Sequence, residues 1–294
     1  MSTHTYALIK TISCEPKNRA GARFFGSHNI VIFNFIVSMK ASTKLFLWEL
    51  FALTELMMSP SPRRLGQTFE GWAHRRGHLR KIHRLEAEAF LEKLPGGSGD
   101  RIYRLTSKGK AAALGGKDPT QLWSRNWDGI WRLLLFDLPT KPKTPRNQLQ
   151  AFLRNHDFGC LQGSVWISPD PVGKIRKKLK GYRHPSSLLL FEGHPAGKEK
   201  PGEIVKEAWD FDEINQCWNL YANCLSEMEK FLQKEKIDHE IYNTWRKEEF
   251  ALWLKINDRD PFLPQALHPK NYNGPKVWKK KLSLWTKLAP KLLH

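Results

Sequence analysis

Between Thr43 and Met58 apolar side chains fall on nearly every face of a helical projection: Leu45, Phe46, Leu47, Trp48, Leu50, Phe51, Leu53, Leu56 and Met57. A helix with so little polar face belongs in a core or at an interface. Ser59-Pro60-Ser61-Pro62 breaks it, and Ser61 can cap a second helix with Pro62 in its first turn. That helix carries Leu65, Phe69, Trp72 and Ala73 at helical spacing. Gly66 and Gly71 weaken it by ~1 kcal/mol each relative to Ala, and Gly77 ends it. The spacing predicts a third helix over His78–Ala89, with Leu79, Ile82, Leu85 and Ala89 inward and Arg80, Lys81, Arg84 and Glu88 pointing elsewhere. Phe90–Leu94 and Arg101–Thr106 then flank Pro95-Gly96-Gly97-Ser98-Gly99 and read as a β-hairpin. Three helices followed by a hairpin is the order of a winged helix-turn-helix.

After Ala111–Asp118, a stretch of small residues read as a domain boundary, the pattern changes. Trp131–Phe136 is a short apolar strand suited to the middle of a covered sheet. Pro145–His156 is an amphipathic helix burying Leu149, Phe152 and Leu153. Phe158–Leu161 and Val165–Ser168 are short strands around Gln162-Gly163. Val172–Leu179 is a basic helix, and Ser187–Phe191 is a closing strand. The order β-α-β-β-α-β is that of a ferredoxin-like domain. Gly193–Gly202 reads as a linker, and helices are expected over Phe211–Lys234, Asp238–Lys255 and Pro275–Lys287. The expected class is therefore α+β: an N-terminal extension (1–40), a winged helix-turn-helix (41–116), a central ferredoxin-like βαββαβ domain (124–194) and an all-α C-terminal domain (203–294).

Composition narrows the partners. The 294 residues include 48 Lys and Arg against 29 Asp and Glu, a formal charge of +19, which favours polyanionic partners. Ile30–Val37 (IVIFNFIV) is the one apolar run resembling a membrane or export segment, and it is far shorter than the roughly 20 residues a bilayer needs. It lies behind polar sequence, unlike a signal peptide, so residues 1–38 read as a poorly ordered extension or an over-long start. Cys14, Cys160, Cys217 and Cys224 show no disulfide or zinc spacing and suit a reducing cytoplasm as small buried hydrophobes.

The charge concentrates usefully in Ser61–Arg84, where Arg63, Arg64, Arg75, Arg76, Arg80, Lys81 and Arg84 face the single acid Glu70, with His74, His78 and His83 interleaved. In a helix-turn-helix the second crossed helix enters the major groove. Arg80, Lys81 and Arg84 are then candidates for base or phosphate contact, since an Arg fork meets guanine O6 and N7 in bidentate fashion. Arg63, Arg64, Arg75 and Arg76 would clamp phosphates and fix register. Lys93, Arg101 and Arg104 suit a wing over the adjacent backbone. Two further clusters, Lys174–Arg183 and the acid-free tail from Lys270 with Lys276, Lys279, Lys280, Lys281, Lys287 and Lys291, read first as solvated surface.

No Gly-rich phosphate loop, H-E-x-x-H or G-x-S-x-G element occurs, so no enzyme is expected. The alternative is a metal-dependent nuclease in which Asp137, at the end of the central apolar strand, meets its counterpart across a dimer. A turn role before Pro139 competes with that reading. No resident cofactor is expected, and the 12 tryptophans read as core.

The motifs Trp127-Asp128-Gly129-Ile130-Trp131-Arg132, Leu135-Phe136-Asp137-Leu138-Pro139 and Phe158-Gly159-Cys160-Leu161-Gln162-Gly163-Ser164-Val165-Trp166-Ile167-Ser168-Pro169 resemble the PaaX-like repressors of phenylacetic acid catabolism. So do Tyr103–Gly109, Ala208-Trp209-Asp210-Phe211-Asp212 and Asp260-Pro261-Phe262-Leu263-Pro264, followed by Pro269 and Gly274. Together they cover about residues 44–290 in the family's order. The resemblance implies a winged-helix DNA reader, a central domain akin to the small CRISPR adaptation endonucleases and a helical C-terminal domain. It further implies a homodimeric repressor on a double-stranded operator, released by an aryl-CoA thioester such as phenylacetyl-CoA. Tyr272 and His268 depart from it, standing where Trp and an aliphatic are usual, and the winged-helix portion resembles the family only loosely.

Overall fold

The computed structural model describes residues 39–57, 77–94, 102–138, 143–173, 188–233 and 239–292, with Arg176 and Leu179 between. It is a mixed α+β chain, helical towards both ends, with a small central sheet. The helix expected from Ser61 and the apolar run Ile30–Val37 lie outside the described residues.

Helix α1 (Ala41–Met57) is buried on every face over Phe46–Phe51, as its pattern demands. Phe46, Leu47, Trp48, Leu50 and Phe51 are all buried. One side meets strand β2 (Ile102–Leu105) and helix α3 (Ser107–Ala113); the other meets α8 (His239–Arg259) and α9 (Gly274–Leu292). Trp48 stacks on Trp253 of α8 with ring centres 5.2 Å apart, and Trp253 lies 4.9 Å from Trp278 of α9.

Charges are buried in this contact. Glu49 of α1 accepts from Tyr242 at 3.1 Å and pairs with Arg246. Glu249, fully buried, accepts from the Trp48 indole N–H and the Tyr221 hydroxyl. Lys281 is 1% exposed, its Nζ 3.9 Å from the Trp48 ring centre and 4.3 Å from that of Trp278. Burial pushes the Glu249 carboxyl up, against the pull of Lys281 and the two donors.

In the central region β3 (Trp131–Phe136), β4 (Gly159–Gln162), β5 (Val165–Ser168) and β6 (Leu188–Gly193) form an antiparallel sheet in the order β4-β5-β3-β6. Alternation divides β3 between two cores. Leu134 and Phe136 join Trp166 under Leu149 and Leu153 of α5 (Lys143–Arg154) and the Val172 and Leu179 side chains. Trp131 and Ile167 belong to the large core shared with α1 and the C-terminal helices. Leu189 and Phe191 on the edge strand β6 stay open, 57% and 53% exposed.

The Trp127–Arg132 motif is a staple at the start of β3. Arg132, 4% exposed, spans Asp128, the Ile130 and Pro169 carbonyls and Glu192. Gly129 supplies the turn at φ +80°. The Arg132 hydrogen bonds hold the Asp128 carboxyl down at about 2, so the pair persists in mild acid and is lost as pH falls towards that value.

Two stretches read as connections are in part structured. Residues 111–118 continue α3 to Ala113, with Ala112, Ala113 and Leu114 buried and Gly115 and Gly116 ending the helix at positive φ. Their small side chains serve close packing. Within Gly193–Gly202, Pro201 opens helix α6 (Pro201–Ala208), and Glu203 bonds back to the Lys200 N–H at 3.1 Å. Gly159 of β4 lets α6 approach, since a Cβ there would stand 2.6 Å from Ala208 and from the Trp209 ring. Between α3 and β3 a short helix α4 (Pro119–Trp123) is capped by Asp118. Helix α7 (Phe211–Phe231) completes the C-terminal bundle with α8 and α9.

Glu249→Ala removes the acceptor for two buried donors and the negative charge that faces buried Lys281. A loss of about 3–5 kcal/mol in urea-unfolding stability is expected. Joint replacement by Glu249→Leu and Lys281→Met should lose much less, since no charge is then stranded. Equal losses from both would show that packing rather than charge holds α1.

Candidate nucleic-acid interface

The candidate reading element is α2 (Leu79–Ala87), whose sequence LRKIHRLEA is strongly two-sided. Ile82 and Leu85 are fully buried and Leu79 packs on the core, while Arg80, His83 and Arg84 are exposed. The helix starts after Gly77 at φ +66°, and its expected last inward residue, Ala89, does not face inward. Ala89 is exposed in the left-handed region at φ 57°, and Phe90 takes the buried place. The Phe90 N–H bonds the Leu85 carbonyl at 2.8 Å and the Ala89 N–H that of Glu86 at 2.9 Å. This is a Schellman end built on Ala where Gly is usual.

The segment Tyr103–Gly109 explains how that end is held. Thr106 donates to the Ala89 carbonyl at 2.8 Å and caps α3 by accepting the Gly109 N–H at 3.0 Å. Lys108 donates to the Glu88 carbonyl at 2.7 Å, its Nζ 4.2 Å from the Phe90 ring centre. A Cβ on Gly109 would stand 2.0 Å from the Phe90 carbonyl oxygen, so only glycine fits. Strands β1 (Leu91–Leu94) and β2 pair antiparallel, Glu92 opposite Arg104 and Lys93 opposite Tyr103.

Of the ten basic residues expected at a DNA surface, Arg63, Arg64, Arg75, Arg76 and Arg101 lie outside the described residues. Arg80 and Lys93 are exposed, on α2 and on the hairpin. Lys81 is half-buried, its Nζ 5.6 Å from the Phe46 ring centre. Arg84 donates to Thr43 of α1 at 2.9 Å and lies 3.7 Å from Glu88. Arg104 pairs with Glu92 across the hairpin at 2.7 Å. The last two are thus committed to local structure. His83 shares the exposed face with Arg80; its position three residues on was the available signal.

The other clusters resolve differently. Arg176 is exposed, and the remaining basic residues of Lys174–Arg183 lie outside the described set. In the C-terminal cluster Lys281 is buried, Lys280 and Lys287 face Glu229, and Lys291 donates to the Leu232 carbonyl, leaving Lys270, Lys276 and Lys279 outward. Asp137 is exposed beyond β3, and among the described residues no group of three His, Cys, Asp or Glu could hold a metal ion. Among those residues, too, no helix is long and apolar enough to cross a membrane.

The motifs of the C-terminal half converge on Asp260. Its carboxylate accepts from Trp218 Nε1, from the Tyr272 hydroxyl and from the Phe262 N–H, each at 2.7 Å. Tyr272 also accepts from Trp123 at 3.1 Å, and His268 contacts the Leu263 carbonyl at 2.9 Å.

Residues 124–205 match the family model of the PaaX protein central Cas2-like domain. The central domain is PaaX-like. The resemblance carried by the Trp127–Arg132 and Phe158–Pro169 motifs therefore holds. No curated protein matches the sequence. Among solved structures, the uncharacterized protein Rv0674 from Mycobacterium tuberculosis is similar over 90% of this chain and 95% of its own, at 16% identity and a TM-score of 0.45.

Two substitutions separate holding from reading in this module. Arg84→Ala should lower the thermal midpoint by removing the tie to Thr43, whereas Arg80→Ala should leave it unchanged. Ala89→Gly should raise stability by up to about 1 kcal/mol, because an L side chain in the left-handed region costs about 1–2 kcal/mol against a smaller entropic cost for Gly. A destabilised Ala89→Gly variant would count against the observed helix end.

Proposed function

We propose that this protein is a DNA-binding transcriptional repressor of PaaX type that reads an operator through α2. The observation that carries the reading is the exposed Arg80–His83 face of α2, seated on α1 and held at its end by the hairpin and α3, in a chain with a PaaX-like central domain. The order α1, α2, hairpin suits a winged helix-turn-helix with β1–β2 as its wing and Lys93 over the adjacent backbone. The β4-β5-β3-β6 order is the one a ferredoxin-like βαββαβ domain requires.

In this reading Arg80 and His83 meet base edges or phosphates, and Arg63, Arg64, Arg75, Arg76 and Arg101 add phosphate contacts. Arg84 and Arg104 act as positioning residues. A homodimer would match a two-fold operator, and the open Leu189–Phe191 face of β6 offers apolar surface for one. The family further suggests an aryl-CoA effector that releases the repressor, no catalysis and a cytoplasmic setting.

The test is binding to a labelled fragment of the protein's own promoter across a salt series. Six to ten phosphate contacts should weaken binding roughly 10³- to 10⁵-fold between about 50 and 200 mM salt. Arg80→Ala should erode preference for the promoter over random DNA, with loss worth about 1–3 kcal/mol of discrimination. Equal affinity for promoter and random DNA at every salt concentration would defeat the proposal.

A further inference from the structure

Where the start of α7 meets the turn into α9 lies a cleft of about 630 Å³, lined by Asp212, Asn215, Gln216, Asn219, Asn271 and Asn273. That volume is in the range of small-molecule sites, whose walls are usually mainly apolar. Here every lining side chain ends in an amide or a carboxylate. The local sequence accounts for the wall. Asp212, Asn215 or Gln216, and Asn219 follow one another turn by turn along one face of α7. Tyr272 turns inward to Asp260, and Asn271 and Asn273 on either side of it turn to the cleft. Gly274 leaves room for Tyr272, since a Cβ there would stand 2.4 Å from its hydroxyl oxygen.

Two ties fix this wall. Asn215, only 9% exposed, accepts the Asn273 N–H at 3.2 Å through Oδ1, and Asn219 accepts from the Asn273 side-chain amide. The Asn215 amide plane is thereby set. Its Nδ2 is left open to the cleft, with no partner among the described residues. One turn earlier the Asp212 carboxylate is exposed, also without a partner among those residues. Asp210 rather than Asp212 caps α7, accepting the Glu213 N–H at 2.9 Å.

A fixed N–H donor beside a free carboxylate selects among ligands. A phosphate or carboxylate would meet the charge of Asp212. An ammonium would meet the Asn215 N–H and the first turn of α9, with its positive dipole end and the exposed Lys276. An apolar body finds no apolar wall. A hydroxyl both donates and accepts. Two on adjacent carbons can use both groups at once, with Gln216 and Asn271 offering either role to others.

We infer that this cleft binds a vicinal diol, carried by a sugar or by the ribose of a nucleoside, with one hydroxyl donating to Asp212 and its neighbour accepting from Asn215 Nδ2. The repressor reading needs no ligand at this place, and neither proposal depends on the other.

Isothermal titration of the full chain with D-glucose, D-ribose, adenosine and 2′-deoxyadenosine tests it. One-to-one binding of at least one of the first three is expected. Binding of either sugar identifies a sugar site. Adenosine bound about ten-fold tighter than 2′-deoxyadenosine, with neither sugar bound, identifies a nucleoside site. Asp212→Ala removes the charged acceptor and should weaken binding about ten-fold or more. Its thermal midpoint should not move, because Asp212 is exposed and caps nothing. Asn215→Leu keeps the volume, removes the donor and should weaken binding about three-fold or more, with circular dichroism confirming that the helices are kept. Absence of binding by glucose, ribose and adenosine at millimolar concentration overturns the inference. So does full affinity in Asp212→Ala, or 2′-deoxyadenosine binding as tightly as the best of the three.

Discussion

The structure depends on a helix that cannot be left with an exposed side. The sequence of α1 provides almost no polar face, so elements on both flanks must cover it. The hairpin and α3 cover one flank, and α8 and α9 the other. The core beneath α2 and the hairpin is in consequence continuous with that of the C-terminal helices. Burying Glu49, Glu249 and Lys281 in this contact adds selectivity more than strength. Paired buried charges contribute little net stability, yet a slipped register would strand them. The buried Trp48 indole N–H has its acceptor only if Glu249 is in register.

The orientation of α2 follows from two further ties. Thr43 and Phe46 of α1 hold Arg84 and His78, the latter at 4.7 Å between ring centres. Thr106, Lys108 and Gly109 fix the turn at residues 88–90. The Thr-Ser-Lys-Gly run, which looks from its lysine like part of a basic surface, spends that lysine on a helix C-terminus. Cations there complement the helix dipole as well as the open carbonyls. The exposed basic side chains left there without a partner among the described residues are Arg80 and His83 on the helix and Lys93 on the hairpin.

Periodicity carried most of the fold. The short apolar run Trp131–Phe136 identified a central strand, and the 79/82/85 spacing identified the buried side of α2. It missed helix α3 and the start of α6, where small residues and Gly/Pro read as a boundary and a linker. Ala112 and Ala113 are small because α3 packs closely, and Pro201 starts a helix where a linker was expected. It also failed at Ala89, since an alanine in the left-handed region leaves no mark in the pattern. The charge signal was coarser still. Arg84 and Arg104 carry the same charge as Arg80, and only coordinates separate a tied arginine from an open one.

The two departures from the family pattern can now be weighed by position. Tyr272 and His268 left open whether the C-terminal region still serves an aryl effector. Both side chains face the buried Asp260 cluster, where Tyr272 supplies a hydroxyl donor to the carboxylate and the His268 ring lies 4.7 Å from that of Tyr272. Tyr272 therefore preserves the function that matters at that site, a donor for Asp260, as a tryptophan N–H could. The two changes thus alter how the buried core around Asp260 is satisfied.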